Sequence, residues 1–218
     1  YEVILVDSGS TDGTLEIAAL HNCHILHITR EEFSFGRSLN MGCEAASGDI
    51  IVITSGHCVP ADEIWLQHLC QPILDDAAQY TYGRQIGASE SQFSECQIFS
   101  KYYPEENNHL EHDFFCNNAN SAIRRSVWAA HRFDEKITGL EDMDLAKRLI
   151  NDGGRVCYVP QSTVIHYHNE CGFSKTYIRS AWRLYGIGTN AAMNVKVTYE
   201  TIPSCARYEQ TIIRFNDT

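Results

Sequence analysis

No run in this 218-residue sequence approaches the roughly 18 to 20 apolar residues that span a bilayer, and the N-terminus carries no signal-peptide pattern. Basic charge is scarce. Seventeen lysines and arginines stand against 28 aspartates and glutamates, a formal net charge of −11. That balance excludes an electrostatic nucleic-acid binder, which needs a basic face to neutralise phosphates. A protein this acidic binds phosphate only with local help from a metal ion, a few arginines or helix N-termini. Cysteine is present but unpatterned: Cys23, Cys43, Cys58, Cys70, Cys96, Cys116, Cys157, Cys171 and Cys205 are odd in number and form no CxxC pair. Such usage disfavours structural zinc and fits a reducing compartment, with the cytoplasm as the default. Internal repeats, low-complexity tracts and clear linkers are lacking too, so one domain is the simplest organisation.

What is there reads as alternating strands and helices. Tyr1 to Val6 is a short apolar, β-branched run ending in the turn-rich DSGSTDG, and predicts a buried strand. Helices are expected over Thr14 to Leu20, about Arg37 to Ala46, and Asp62 to Leu74, where Ile64, Leu66, Leu69 and Ile73 offer one broad apolar face. Strands are expected at His24 to Ile28, Asp49 to Thr54 and Tyr80 to Ile86. Further on come an Asn-rich stretch from Asn117 to Asn120, a helix from Glu141 to Ile150, and strands at Val156 to Val159 and Thr163 to His166. The pattern implies an α/β domain with a mostly parallel sheet flanked by helices, in which ligands gather at the carboxyl ends of the strands. A helix over Phe173 to Tyr185 carries Phe173, Tyr177, Trp182 and Tyr185 on one side and Lys175, Arg179 and Arg183 elsewhere. It would cover the sheet, close over an acceptor, or make peripheral contact with an anionic membrane.

Four segments in order carry a resemblance: VILVDSGSTDGT, EEFSFGRSLNMGCEAASGDIIVITSGHCVP, NNANSAIRRSVW followed by RFDEKITGLEDMDLAKRL, and VIHYHNE. Together they resemble family 2 glycosyltransferases of the GT-A fold, a single Rossmann-like nucleotide-sugar domain. YGRQIG, at Tyr82 to Gly87, resembles the bacterial rhamnosyltransferase branch. The resemblance implies a nucleotide-sugar-binding part over residues 1–87, an acceptor and catalytic part over 88–170, and a C-terminal amphipathic helix and tail over 171–218. Two departures stand out. Tyr1 already falls in the family's second strand, so the first βα unit, and with it a central strand of the sheet, is expected to be missing. The family's Asp-x-Asp metal motif falls on Ser55-Gly56-His57, with both aspartates replaced.

The resemblance assigns roles that elementary chemistry weighs against plainer ones. His57 and His166 are the implied ligands of a divalent metal. Imidazole suits Mn²⁺ and later transition metals better than Mg²⁺, so Mn²⁺ is the expected ion. As alternatives, His57 is a loop residue bonding the backbone, and His166 with His168 polar residues of an edge strand. Asp142 is the implied base that deprotonates an acceptor hydroxyl, with Glu141 holding the acceptor or tuning it, although acidic residues in a first helical turn also stabilise the helix by themselves. Asp7, with Ser8 and Ser10 around it, is implied to read the nucleobase, and an ordinary turn carboxylate is the alternative. Arg37, Ser55 and Arg84 complete the implied nucleotide-sugar contacts, and Asn118 and Asn120 the acceptor contacts; surface arginines and turn residues are the plain alternatives. The implied activity is inverting, metal-dependent transfer of a hexosyl or deoxyhexosyl group from a nucleoside-diphosphate sugar to a glycan or lipid-linked glycan, in capsule or O-antigen synthesis at the inner face of the cytoplasmic membrane. A retaining GT-A transferase and a non-catalytic binding relative remain the other readings.

Overall fold

The computed structural model describes residues 1–89, 91, 93–106, 114–167 and 210–215, so the helix expected over Phe173 to Tyr185 lies outside the described residues. The first strand, β1 (Val3–Asp7), buries four of its five residues and runs into the turn at residues 8–13. Helix α1 (Thr14–Leu20) returns the chain to β2 (His24–His27), which pairs parallel with β1. Helix α2 (Phe35–Ala45) starts where the Ser34 hydroxyl accepts the Arg37 N–H at 3.2 Å, a side-chain N-cap. It leads to β3 (Ile50–Ser55), β4 (Cys58–Pro60), α3 (Trp65–Leu74) and β5 (Tyr80–Gly87). The second half supplies α4 (Phe93–Tyr102), β6 (Asn120–Arg124), α5 (Arg125–His131), α6 (Glu141–Asn151), β7 (Val156–His166) and β8 (Gln210–Phe215).

These strands form one eight-stranded sheet in the order β2-β1-β8-β3-β6-β5-β7-β4. The α/β class is as expected, but the sheet is mixed rather than mostly parallel. Only β1–β2 and β5–β7 pair parallel; β1–β8, β3–β8, β3–β6, β5–β6 and β4–β7 are antiparallel. The physical reason is that a strand buried on both faces reads as one apolar run whichever way it points. Its direction is set by where the chain enters the sheet, not by its side chains. The expected gap in the sheet centre is not there either. Residues 210–215, expected in a tail, lie between β1 and β3 and pair antiparallel with both.

β3 shows how the core is organised. Alternate residues belong to two clusters, Ile51 and Ile53 with Leu39, Trp128 and Leu145, and Ile50 and Val52 with Trp65, Leu69, Ile73 and Val164. A period of two sends successive side chains to opposite faces, so both faces of β3 are covered. Each buried aliphatic side chain contributes about 1.5–3 kcal/mol. On α3 the buried face is Trp65, Leu69, Cys70 and Ile73, whereas Ile64 is half exposed, because the helix begins one residue after it. The two short strands expected near 156–166 are one, β7. Its register against β5 shifts at Gly83/Arg84, where Val159 and Thr163 are the successive partners, so residues 160–162 are accommodated in a bulge around Pro160.

Candidate active site

The turn after β1 is built around Asp7. Its carboxylate is 2% exposed and accepts the backbone N–H of Gly9 at 3.0 Å and of Ser10 at 2.9 Å. Gly9 sits at φ 106°, a left-handed conformation that costs a residue without a side chain little. His27, on the neighbouring strand, brings Nδ1 to 3.5 Å. Burial alone would raise the pKa of Asp7. Hydrogen bonds from the Ser10 side chain, the Ser10 and Gly9 amides and His27 outweigh it and hold the carboxyl below its usual 3.8.

At the other end of the sheet, β4 pairs with the end of β7, Cys58 opposite His166, and the Tyr167 N–H donates to the His57 carbonyl at 2.9 Å. This pairing brings the His57 and His166 rings together, with centroids 4.6 Å apart. His166 is 6% exposed, lies 5.6 Å from the Phe99 ring, and has Nδ1 2.8 Å from Gln85 Oε1. Gln85, 1% exposed, comes from β5 and donates from Nε2 to Asn117 Oδ1 at 2.9 Å. Among the described residues, no group of three or more His, Cys, Asp or Glu side chains is placed to hold a metal ion.

The turn at residues 117–120 joins this region to the acidic one. Its Ala119 carbonyl accepts the Ser55 N–H at 3.3 Å and the Thr54 hydroxyl at 3.2 Å, tying it to the end of β3. Next in the turn, Asn118 accepts the Tyr80 hydroxyl at 2.6 Å and the Ser121 hydroxyl at 2.9 Å on Oδ1, while its Nδ2 is buried without a hydrogen-bond acceptor. The Asn118 N–H donates to Asp142 Oδ2 at 3.1 Å.

Asp142 and Glu141 open α6, each 6% exposed. The turn into the helix passes through Gly139 at φ 122° and Leu140 at φ 69°. A leucine in the left-handed region costs roughly 1–2 kcal/mol, so the surrounding structure over-determines this entry. The Met143 N–H donates to Asp142 Oδ1 at 2.8 Å, and the helix N-terminus favours negative charge there. Glu141 Oε2 is buried with no hydrogen-bond donor. Burial first, and the charge of Asp142 second, push its carboxyl up to about 8.

With this geometry in place, comparison with known proteins gives the lineage. Residues 1–131 match the family model described as Glycosyl transferase family 2. The chain belongs to that family. Its sequence is 27% identical over 179 residues to the O-antigen chain rhamnosyltransferase WbaN of Salmonella anatum, across 77% of this chain and 57% of that protein. It is 27% identical over 181 residues to the O-antigen chain rhamnosyltransferase RfbN of Salmonella typhimurium, with the same shares covered. The chain thus spans little more than half the length of these curated relatives. Among solved structures, the mannosyltransferase PcManGT of Pyrobaculum calidifontis, in complex with GDP-Man and Mn²⁺, superposes with a TM-score of 0.62 at 18% identity, over 84% of this chain and 52% of that one. That likeness shows the GT-A fold.

In this family 2 chain the expected site residues fall into distinct places. His57 and His166 meet, and Glu141 and Asp142 share a buried helix start with Asn118 against it. Asp144, the third acid of α6, instead pairs with Arg148 one turn on, at 2.8 Å. Arg37 is exposed and lies 3.5 Å from Glu32, and Arg84 lies 3.5 Å from the exposed Glu105. Ser8 and Ser10 are half-buried in the Asp7 turn, and Ser55 ends β3. Asn120, expected at the acceptor surface, is placed elsewhere by the structure. It is fully buried, accepts the Trp65 indole N–H at 2.9 Å, and donates to the carbonyls of Arg84 and Ser162 at 3.1 and 2.9 Å. Both its donors are spent on holding β5, β6 and β7 together, which is packing, not substrate recognition. Gly83 exists for this contact, since a Cβ there would collide with the Asn120 amide and the Ser162 carbonyl. Gln85 and Asn117 were not singled out in the sequence. A glutamine inside the strand YTYGRQIG was the available signal, because a polar side chain buried there needs a partner.

Proposed function

We propose that this protein transfers a sugar from a nucleoside-diphosphate donor to a glycan or lipid-linked glycan acceptor, with inversion, during surface polysaccharide synthesis. The observation that carries the proposal is the connectivity of the 117–118 turn. On one side its Asn118 N–H meets the Asp142 carboxylate, and on the other Asn117 is linked through Gln85 to His166, so Asp142 and His166 are tied to the same turn. Two relatives named O-antigen chain rhamnosyltransferases make a deoxyhexosyl group and an O-antigen or capsule acceptor the first to test.

The chemistry follows from the residues. Asp142, which accepts the Asn118 and Met143 N–H groups beside a Glu141 carboxyl that burial pushes upward, takes the proton from the acceptor hydroxyl. A base on the acceptor side, opposite the leaving diphosphate, corresponds to a single displacement with inversion. Asn118 Nδ2, a buried donor with no acceptor, is available to orient the acceptor or the transferred sugar next to that carboxylate. The turn around Asp7 serves the nucleobase end, in keeping with a carboxylate held ionised by backbone amides. A divalent ion at His57 and His166 would neutralise the charge that grows on the diphosphate as the glycosidic bond breaks. Two converging imidazoles fit a transition ion such as Mn²⁺ better than Mg²⁺. With two protein ligands, its remaining ligands would come from the donor's phosphates, so ion and nucleotide bind together. The acidic, cysteine-unpaired sequence fits a cytoplasmic enzyme working where its acceptor meets the membrane.

One observation favours a second reading. The absence of a three-ligand cluster among the described residues is what a non-catalytic relative that only binds nucleotide or glycan would show. Thermal-shift or calorimetric titration of the full-length protein with UDP, GDP and dTDP, with and without Mn²⁺, separates the two. Binding of one nucleotide that requires Mn²⁺ is the expected result. Well-folded protein that binds none of them would overturn the transferase proposal in favour of the second reading.

A further inference from the structure

We propose that Gln85 is a positioning residue that holds His166 in the one neutral tautomer able to bind a metal ion through Nε2, with Asn117 as the anchor that sets the orientation of Gln85. The inference rests on the metal reading of His57 and His166. It follows from a chain of hydrogen bonds in which each donor fixes the next.

The chain starts at the backbone, where there is no ambiguity. The Ala119 N–H donates to Asn117 Oδ1 at 3.0 Å, and an amide N–H has no lone pair to offer, so that atom of Asn117 must be the carbonyl oxygen. The same oxygen is 2.9 Å from the Gln85 side chain. Two carbonyl oxygens at that separation would repel, so Gln85 faces Asn117 with Nε2. Its other terminal atom, 2.8 Å from His166 Nδ1, is therefore Oε1, an acceptor only. Nδ1 of His166 must carry a proton to meet it. A neutral imidazole has one N–H, so the lone pair that can bind a cation is on Nε2.

The placement supports a purpose beyond packing. Gln85 is 1% exposed, so an amide left without partners there would cost roughly 1–3 kcal/mol, and it is held on both sides instead. His166 is also buried, and its ring lies against His57. Locking the tautomer removes one of two states that the ring must otherwise choose between when a cation arrives. Partners of this kind, bonded to the other nitrogen of a ligating histidine, are worth about 10–100-fold in metal affinity. A carboxamide achieves it without adding negative charge.

Two measurements on the full-length protein test this. In metal-free protein, long-range ¹⁵N–¹H NMR of the histidine rings, assigned with His166→Ala, reads the tautomer directly. Protonated Nδ1 and unprotonated Nε2 in the wild type, and a mixture in Gln85→Met, are expected. An Nε2–H tautomer in the wild type, or no change in Gln85→Met, overturns the proposal. The second measurement is titration with Mn²⁺ in the presence of UDP, GDP or dTDP, following the free ion by electron paramagnetic resonance. Gln85→Met is expected to weaken Mn²⁺ binding about tenfold or more, and His57→Ala and His166→Ala at least as much. Binding that falls in the two histidine variants but not in Gln85→Met sinks the role of Gln85 alone. Binding unchanged in the histidine variants, or absent from the wild type, removes the metal reading and this inference with it.

Discussion

Two buried aspartates, Asp7 at the end of β1 and Asp142 at the start of α6, look alike in the sequence, each an acid at a turn or helix entry. Their surroundings make them opposites. Asp7 takes hydrogen bonds from residues two and three positions away and has its pKa held below the usual value, a carboxylate stabilised as an anion by its own turn. Asp142 takes one of its bonds from Asn118, 24 residues away, and shares its burial with a second carboxyl that its charge pushes upward. A self-contained anion suits recognition or turn structure. An anion beside a like group, in a place assembled from distant segments, suits proton transfer.

Substitutions can break or sharpen that contrast. Asp142→Asn is expected to lower kcat by about 10²–10⁴ while nucleotide affinity stays within about twofold, as loss of a general base should. Steady-state kinetics alongside calorimetry decides it, and surviving turnover would return Asp142 to a helix-capping role. The next effect concerns stability against pH. Glu141 has a folded pKa raised from 4.5 to about 8, so its contribution to stability is full below pH 4.5 and is lost as pH rises through about 8. Glu141→Gln should remove this loss, on the order of a few kcal/mol, and denaturant unfolding at pH 5 and pH 8.5 would show a flatter profile for the variant. Asp7 has the reverse sign. Its depressed pKa makes a stabilising contribution above pH 3.8 that disappears as pH falls further. Asp7→Asn should therefore cost about 1–2 kcal/mol at pH 7 and progressively less as pH falls below 3.8, which thermal melts across that range would reveal. Smallest is Asp144→Ala. Its half-exposed ion pair with Arg148 is worth less than about 0.5 kcal/mol, and turnover should be unchanged. A large loss of turnover there would mean that the whole acidic turn, not Asp142, carries the chemistry.

Much of the local structure was legible without coordinates. Helix α1 falls on Thr14–Leu20 as expected, and β3 and β5 agree within a residue or so, because apolar runs and Gly/Ser-rich turns act over neighbouring residues. Strand β4 has no signal in the sequence, since three residues ending in proline carry no periodicity of their own and are held by β7. Strand β6 is masked by the Asn-rich stretch that it starts from, in which Asn118 and Asn120 are buried and hydrogen-bonded. The assignment of Asn120 to the acceptor surface failed for the same reason. Composition marks asparagine as a turn residue, while the indole of Trp65 and two carbonyls made it part of the interior.

By itself, then, the sequence determined most of the strands and helices before residue 88 and around 141–166, the resemblance to the family, and the candidate residues His57, His166, Glu141 and Asp142. Those follow from periodicity and spacing along the chain, which are local. Only the tertiary structure decided the strand directions, the place of β8 between β1 and β3, the meeting of the two imidazoles, and the link from Asn117 through Gln85 to a histidine 81 residues on. Each of these depends on which distant segments the sheet sets side by side, and hydrogen bonds between them exist only once burial has removed the competing water.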